Sequence, residues 1–500
     1  METKSVSRKN TFLFLSVCVI YAAVSALSVN TLLPNCDEAW FTIPGYNLVE
    51  NGFFGTTVLD ETATFRNVRL DGINQYTYWI MPVYPLLQGA WGKIVGFGLI
   101  ETRTFSLVCG IFALGSWFVL IRNLSKNVNL ALLTVLLLAL DYHFIYASSF
   151  GRMDMLTAAL GAGALALFTH FRDKRFDIAI LISFTLAALS FFTHPLGLIW
   201  AISLAILIVF LDRKRIGFKH LGFAALPFIL LGTLWITYIL QRPDLFFTQF
   251  GGNASNRWAF FQAPFGEFWR EIQLRYLYNF GVGEGLSEAG QIKVLILLFY
   301  VLAVAAILIS KSLRSQSLSR FLIIIALQEF VMLLLLDSMK QHYYLIHIVP
   351  TLTVIMAVWI NSLWKQKPIF KYCALAIIVS FVLINLSIFT SQLKRNAYRG
   401  DYLATANFLN QNMQNNDTVT GSAEFWFSLK QKENLTDDYR LGYRTGKRSK
   451  FVILDAQRYK DWIKALAEND PAGHQNIQNT LRNEYDPIFQ NDRYEIFELK

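Results

Sequence analysis

The sequence predicts a mainly α-helical, polytopic membrane bundle of about eleven spans, with helices in its outer-face loops and a small C-terminal α/β domain. Three observations lead there. The 500 residues are 54% hydrophobic and only 16% charged, against roughly 25% charge in a soluble chain, so most of the surface suits lipid. Apolar runs of helical length recur from residue 11 to residue 389, and the mean hydropathy is +0.38. Lys and Arg concentrate in alternate loops between those runs, the pattern that orients membrane helices.

The first run, residues 11–33, follows a basic tail (Lys4, Arg8, Lys9) and has no small-residue cleavage signature before Pro34-Asn35-Cys36. It reads as a retained signal-anchor helix. Further runs cover residues 105–121, 130–148, 155–171, 178–192, 196–211, 221–240, 292–309, 321–336, 344–360 and 372–389. Several are short for a hydrocarbon core about 30 Å thick. The basic clusters Arg122/Lys126, Arg172/Lys174/Arg175, Arg213/Lys214/Arg215/Lys219, Lys311/Arg314/Arg320 and Lys365/Lys367/Lys371 then share the side of the N-terminal tail, predicted to be cytoplasmic. Residues 78–100 are apolar enough to span but contain Pro82, Pro85, Lys93, Gly89, Gly92, Gly96 and Gly98. A span there would move every later basic cluster outside, so an interfacial or re-entrant helix pair on the outer face is predicted.

The outer face is left with residues 35–104, residues 241–291 and everything beyond the last span. The chain divides into a membrane part, 1–391, and an extracytoplasmic domain, 392–500. The latter has a helix-like stretch at 401–413, strand-like stretches at 451–454 and 494–499, and turn punctuation at Asp470-Pro471-Ala472-Gly473.

Composition also excludes functions. The formal charge of +10 resides mostly in cytoplasmic loops facing anionic lipid head groups, so the expected partners are membrane lipids and not nucleic acid. No Walker or Rossmann glycine pattern is present, which argues against direct use of ATP or a nucleotide sugar. Cys18, Cys109 and Cys373 lie in apolar runs and Cys36 stands alone, giving neither a disulfide framework nor a metal-binding spacing.

Four clusters fall at predicted outer ends of spans: Asp37-Glu38-Ala39-Trp40, Arg152-Met153-Asp154, Thr193-His194-Pro195, and Asp337 through Tyr344 with Lys340, His342, Tyr343 and Tyr344. Charge at a span end is costly, which points to use. Carboxylates beside Arg, Lys and His suit a site that holds a phosphate while deprotonating a hydroxyl. Each cluster has a structural alternative. Asp37-Glu38 would cap a helix, Arg152 and Asp154 would form an ion pair, and His194-Pro195 would make a turn. Lys340 and His342 would belong to a polar loop, and Tyr343 and Tyr344 to an interface belt. Asp141 and His143, inside an apolar run, mark a helix break or an inward polar contact. No catalytic role is assigned to them.

The ordered set Asn35-Cys36-Asp37-Glu38-Ala39-Trp40-Phe41, Asn51-Gly52-Phe53-Phe54-Gly55-Thr56, Tyr78-Trp79-Ile80-Met81-Pro82-Val83-Tyr84-Pro85-Leu86, Gly151-Arg152-Met153-Asp154-Met155-Leu156 and Tyr343-Tyr344-Leu345 with Pro350 resembles the dolichyl-phosphate-mannose–protein mannosyltransferase superfamily, glycosyltransferase fold C. The resemblance covers residues 11 to about 390. It implies a membrane glycosyltransferase that passes a sugar from a polyprenyl-phosphate donor to a lipid, glycan or protein acceptor on the outer face, by inverting displacement. On the family's pattern Asp37 is the base and Glu38 its catalytic partner. Arg152, Asp154, His194, Lys340, His342, Tyr343 and Tyr344 are candidates for donor-phosphate or acceptor binding. No cofactor is certain; Asp37 and Asp154 are candidate ligands of a divalent metal ion. The chain departs from the pattern at Ile80-Met81-Pro82, where many relatives carry Lys-Pro-Pro, so that lysine has no counterpart. The missing lectin-like insert of eukaryotic members points to a prokaryotic protein of the bacterial plasma membrane. Trp79, Trp91, Trp258, Phe260, Phe261 and Trp269 are expected either to anchor the bundle at the membrane interface or to line a groove that holds isoprene units. The competing reading is a lipid-linked-sugar flippase or transporter, which calls for inverted repeats and midplane polar groups.

Overall fold

The computed structural model describes residues 7–61, 69–255, 257, 259–283, 288–456 and 458–500. Ten helices open the fold: α1 (Arg8–Val29), α2 (Cys36–Asn51), α3 (Val83–Val95), α4 (Leu99–Ser125), α5 (Val128–Ala139), α6 (Tyr142–Ser148), α7 (Met153–Phe171), α8 (Phe176–Thr193), α9 (Leu198–Asp212) and α10 (Phe218–Ile239). Four further long apolar helices follow, Val294–Ile309, Ser317–Leu336, Val349–Trp364 and Pro368–Arg395. Among the described residues eight helices are long and apolar enough to cross a membrane. With the bent α5–α6 pair and the shorter Val294–Ile309 and Val349–Trp364 helices, they occupy every stretch predicted to span. The protein is a multi-pass membrane bundle.

Position in the bundle follows side-chain size. In α7, Ala158, Ala159, Gly161, Ala162, Gly163, Ala164 and Ala166 are all buried, and such small residues let neighbouring backbones approach. α4, α8 and α9 pack around it; 83% of its apolar window is buried against 11% for α10, so α7 is central and α10 faces lipid.

The apolar run at 130–148 bends by 66° between α5 and α6. Asp141 N-caps α6 by accepting from the Phe144 N–H at 3.0 Å, and its other oxygen accepts from the Tyr300 hydroxyl. This is the helix break that a carboxylate in an apolar run predicts. Residues 78–100 contain one 13-residue helix, α3, and then the start of α4. The partner of α3 is α2, not a second helix within the stretch. A Cβ on Gly45 would lie 2.3 Å from the Pro85 carbonyl, so only glycine permits that approach.

The described residues of 241–291, expected as a loop, include short helices (Pro243–Phe246, Pro264–Arg270) and two π-helical segments, Phe247–Gly251 and Glu271–Tyr278. Beyond the bundle, β1 (Val419–Thr420), β2 (Leu435–Thr436), β3 (Phe451–Asp455), β4 (Tyr485–Gln490) and β5 (Tyr494–Leu499) form one sheet in the order β2-β1-β3-β5-β4. The first three strands are parallel and the last two pairings antiparallel, with helices Arg458–Asn469 and Pro471–Glu484 against the sheet. This domain is tied to the chain after α2: Leu59 pairs with Asp437, whose N–H donates to the Val58 carbonyl at 2.8 Å.

Candidate active site

Helix α2 begins with a capping box. The Asn35 side chain accepts from the Asp37 N–H at 2.9 Å, and Glu38 Oε2 accepts from the Asn35 N–H at 2.9 Å. The two adjacent carboxylates therefore point to different surroundings. Asp37 lines a cavity of about 880 Å³ and is partly exposed. Glu38 is fully buried. Its Oε1 accepts from Arg103 Nε at 2.8 Å and the Gly151 N–H at 2.7 Å, and its Oε2 accepts from Arg103 Nη2 at 2.8 Å. That is a correction to the sequence reading: Glu38 does not line this cavity and holds the Gly151-Arg152 turn in place. Gly151 is required there, because a Cβ would meet Thr102 Cγ2 at 2.3 Å.

The turn delivers Arg152 between two carboxylates. Its Nη1 pairs with Asp37 and its Nε donates to Asp154 Oδ2 at 2.8 Å. The guanidinium also stacks 3.8 Å over the Tyr343 ring and 5.5 Å from Phe41. A guanidinium therefore occupies the space where a cation shared by Asp37 and Asp154 would sit. Among the described residues no group of three or more His, Cys, Asp and Glu could hold a metal ion. The donor set does not fit the expected divalent ion, and no step is derived through one.

Asp337 organises a second cationic edge. Arg257 Nη1 lies 3.4 Å from its Oδ1, and Arg275 Nη2 donates to Oδ2 at 2.9 Å. Lys340, at φ +54°, turns away into a buried pocket of Glu271 and Glu267, with Nζ–O distances of 3.1 and 3.3 Å. It lines no part of the cavity, so its predicted phosphate contact gives way to a structural one: it clamps the loop that presents Gln341 to Tyr344. Arg257 takes the cavity wall instead. Nothing in the spacing of the 241–291 stretch singles this residue out.

The hydroxyl of Tyr344 accepts from Arg257 Nη1 at 3.2 Å and lies 3.4 Å from His194 Nε2. Because His194 Nδ1 accepts from the Leu196 N–H at 3.1 Å, the ring proton sits on Nε2 and also points at that hydroxyl. Burial, helped by Arg257 and Arg152, holds His194 well below its usual pKa. His342, 3.2 Å from the Tyr146 hydroxyl, is pushed down to about 3 by burial and then by Arg152, Lys293 and Arg275. Both imidazoles are neutral, so neither serves as a cationic phosphate clamp.

A pH dependence follows for His342. The folded state binds fewer protons than the unfolded chain between about pH 6.5 and 3, so the stabilisation is complete above the unfolded pKa and is lost as pH falls through that window. Thermal unfolding in detergent is expected to show a loss on the order of 1–2 kcal/mol by pH 5, and His342→Gln should flatten the slope. An unchanged slope would contradict the assignment.

The remaining lining is apolar, from Trp40, Phe41, Trp79, Met81, Phe191 and Phe250 among others. Of the predicted groove only Trp79 contributes. Phe261 and Trp269 are more than half exposed elsewhere, Trp91 and Phe260 are not in the wall, and Trp258 lies outside the described residues. The fourth side of the cavity was not foreseen at all: Arg458 and Trp462 reach it from the C-terminal domain. The structure thus brings Asp37, Arg152, His194, His342, Tyr343 and Tyr344 to one cavity, sets Asp154 directly behind Arg152, and leaves Glu38 and Lys340 in the scaffold.

No sequence-family description matches the chain, and no curated protein does. Solved structures do. ArnT from Cupriavidus metallidurans bound to undecaprenyl phosphate superposes with a TM-score of 0.59 over 98% of both chains at 13% identity. The apo form of the same protein gives 0.54 over 97% of both chains at 12% identity. The oligosaccharyltransferase AglB of Archaeoglobus fulgidus, in complex with an inhibitory peptide and a dolichol-phosphate, gives 0.56 over 93% of this chain and 72% of its own, at 12% identity. The chain has the fold of these enzymes, glycosyltransferase fold C, as its motifs suggest.

Proposed function

We propose that the protein is a membrane glycosyltransferase that moves a sugar from a polyprenyl-phosphate donor to an acceptor hydroxyl at the extracytoplasmic face of a bacterial plasma membrane. The observation that carries this reading is the meeting, in one largely apolar cavity, of a carboxylate with Arg152, Arg257 and Tyr344. An apolar wall suits isoprene units, and fixed donors suit a leaving phosphate. Two neighbours of the same fold are described with undecaprenyl phosphate and dolichol-phosphate, which supports the donor class.

In the proposed step Asp37 takes the proton of the acceptor hydroxyl. The acceptor oxygen bonds to the anomeric carbon as the bond from that carbon to the phosphate oxygen breaks, and the electron pair leaves on the polyprenyl phosphate. Arg152 aims the Asp37 carboxylate, while Asp154 fixes Arg152 from behind. Arg257 and Tyr344 hold the phosphate. A fixed in-line arrangement contributes through orientation, several kcal/mol in comparable systems. A flippase would need polar groups along a path across the bilayer; these cluster at one end of the bundle, where α1 ends and α2 begins.

Purified protein should release or transfer sugar from at least one of a panel of labelled undecaprenyl- and dolichyl-phosphate hexoses and pentoses. Turnover of none of them would overturn the assignment. On the active donor, Arg257→Gln is expected to raise the donor KM by about 10–100-fold, the worth of a charge-assisted hydrogen bond. A donor KM that does not move would remove Arg257 from the phosphate site.

A further inference from the structure

The wall contributed by the C-terminal domain is unused by this chemistry, yet it is the most elaborately fixed part of the cavity. Arg458 opens helix Arg458–Asn469, and its guanidinium lies 4.7 Å from the Trp462 ring, 5.3 Å from Tyr459 and 5.4 Å from Trp40. Its Nη2 donates to both oxygens of Asp437, at 3.1 and 3.2 Å. Asp437 also accepts from Trp40 Nε1 at 3.1 Å, the Tyr459 hydroxyl at 2.7 Å and the Ala423 N–H at 3.0 Å. Burial pushes the Asp437 carboxyl up to about 7, yet each of these contacts uses it as an acceptor, the form that pairs with Arg458.

Two donor groups of Arg458 remain. Among the described residues its buried Nε and Nη1 have no hydrogen-bond partner; Glu424 Oε2, at 3.8 Å from Nη1, is too far to accept. Buried donors without acceptors are costly and point to an absent ligand. The ligand's chemistry follows from the surroundings. Asp437 already pairs with the charge of Arg458, so an anion gains little here. Two indoles in the same cavity wall as the donors offer flat apolar faces. A sugar ring presents both complements, a C–H face for an indole and hydroxyl oxygens for N–H donors; a serine or threonine side chain presents a hydroxyl but no such face. Trp40 follows Asp37 by three residues on α2, a spacing that puts two helical side chains on one face. A ring resting on Trp40 therefore has hydroxyls beside the base.

We propose that Arg458, Trp462 and Trp40 form the acceptor subsite, and that the acceptor is a neutral sugar residue of a glycan or glycolipid. The proposal rests on the transferase reading and adds the acceptor class to it.

The test uses the full chain in nanodiscs with whichever polyprenyl-phosphate sugar it turns over. The acceptors are neutral oligosaccharides, a short-chain glycolipid with the same terminal sugar, phosphorylated sugars and a Ser/Thr-rich peptide. Transfer to a neutral sugar is expected; success with the soluble oligosaccharide or only with the glycolipid tells free glycan from lipid-borne glycan. Arg458→Gln and Trp462→Ala should each raise the acceptor KM by about tenfold or more, the equivalent of one lost contact, with kcat at saturating acceptor and donor KM changed far less. Trp462→Phe should recover most of the loss. Transfer only to peptide or only to phosphorylated sugars overturns the proposal, as does a fall in kcat with acceptor KM unchanged. If the wild type turns over no donor, the transferase reading fails first, a result distinct from donor turnover with the wrong acceptor.

Discussion

Asp37→Asn is expected to reduce sugar transfer by about 10²–10⁴-fold, the usual worth of a positioned general base. The amide preserves size but cannot take up the acceptor proton. The helix start does not depend on this side chain, because Asn35 and Glu38 supply the capping box. Arg152 also keeps Asp154 as a partner at 2.8 Å. The variant should therefore fold, with donor KM near that of the wild type, and lose kcat. Asp37→Glu keeps the base and moves it by one methylene, so partial activity should remain. Measured kcat within about tenfold of wild type for Asp37→Asn would exclude a general-base role. A large rise in donor KM instead would assign Asp37 to binding.

The bundle was legible in the sequence because lipid imposes one strong rule: apolar runs long enough to span, and positive charge on alternate loops. The exceptions were legible as well, Asp141 as a helix break and the glycine- and proline-rich 78–100 stretch as too irregular to span. The site was legible at the level of segments and misread at the level of side chains. Asp37 and Glu38 are neighbours in sequence, but residues one apart on a helix face about 100° apart, so one reaches the cavity and the other the Arg103 pocket. Lys340 and Arg257 show the same gap. A left-handed backbone at residue 340 and a buried pair of glutamates from a segment with no periodic signal exchange their roles. Arg458 and Trp462 were out of reach because tertiary contacts far apart in sequence, such as the bridge between Leu59 and Asp437 and the Trp40–Asp437 hydrogen bond, place the C-terminal domain over the cavity.

Glu38→Gln tests the scaffold assignment, and the effect should be on stability. Glu38 and Arg103 are both fully buried, and Arg103 also donates to the carbonyls of Val29 and Leu32 at 2.7 and 2.9 Å. The pair thus joins the end of α1, the start of α2, α4 and the Gly151 turn. Removing one charge leaves the other buried without compensation, a loss of about 3–5 kcal/mol in comparable buried pairs. Arg103→Met should cost a similar amount, because it strands the carboxylate. The double variant should lose clearly less than the sum, since neither charge is then stranded; a coupling of about 1–3 kcal/mol is expected for residues in direct contact. Unfolding in detergent, followed by loss of helical signal across a denaturant series, gives all three values. If Glu38→Gln were as stable as the wild type but inactive, Glu38 would belong to the chemistry after all. A destabilised variant whose folded fraction still transfers sugar would place it in the scaffold.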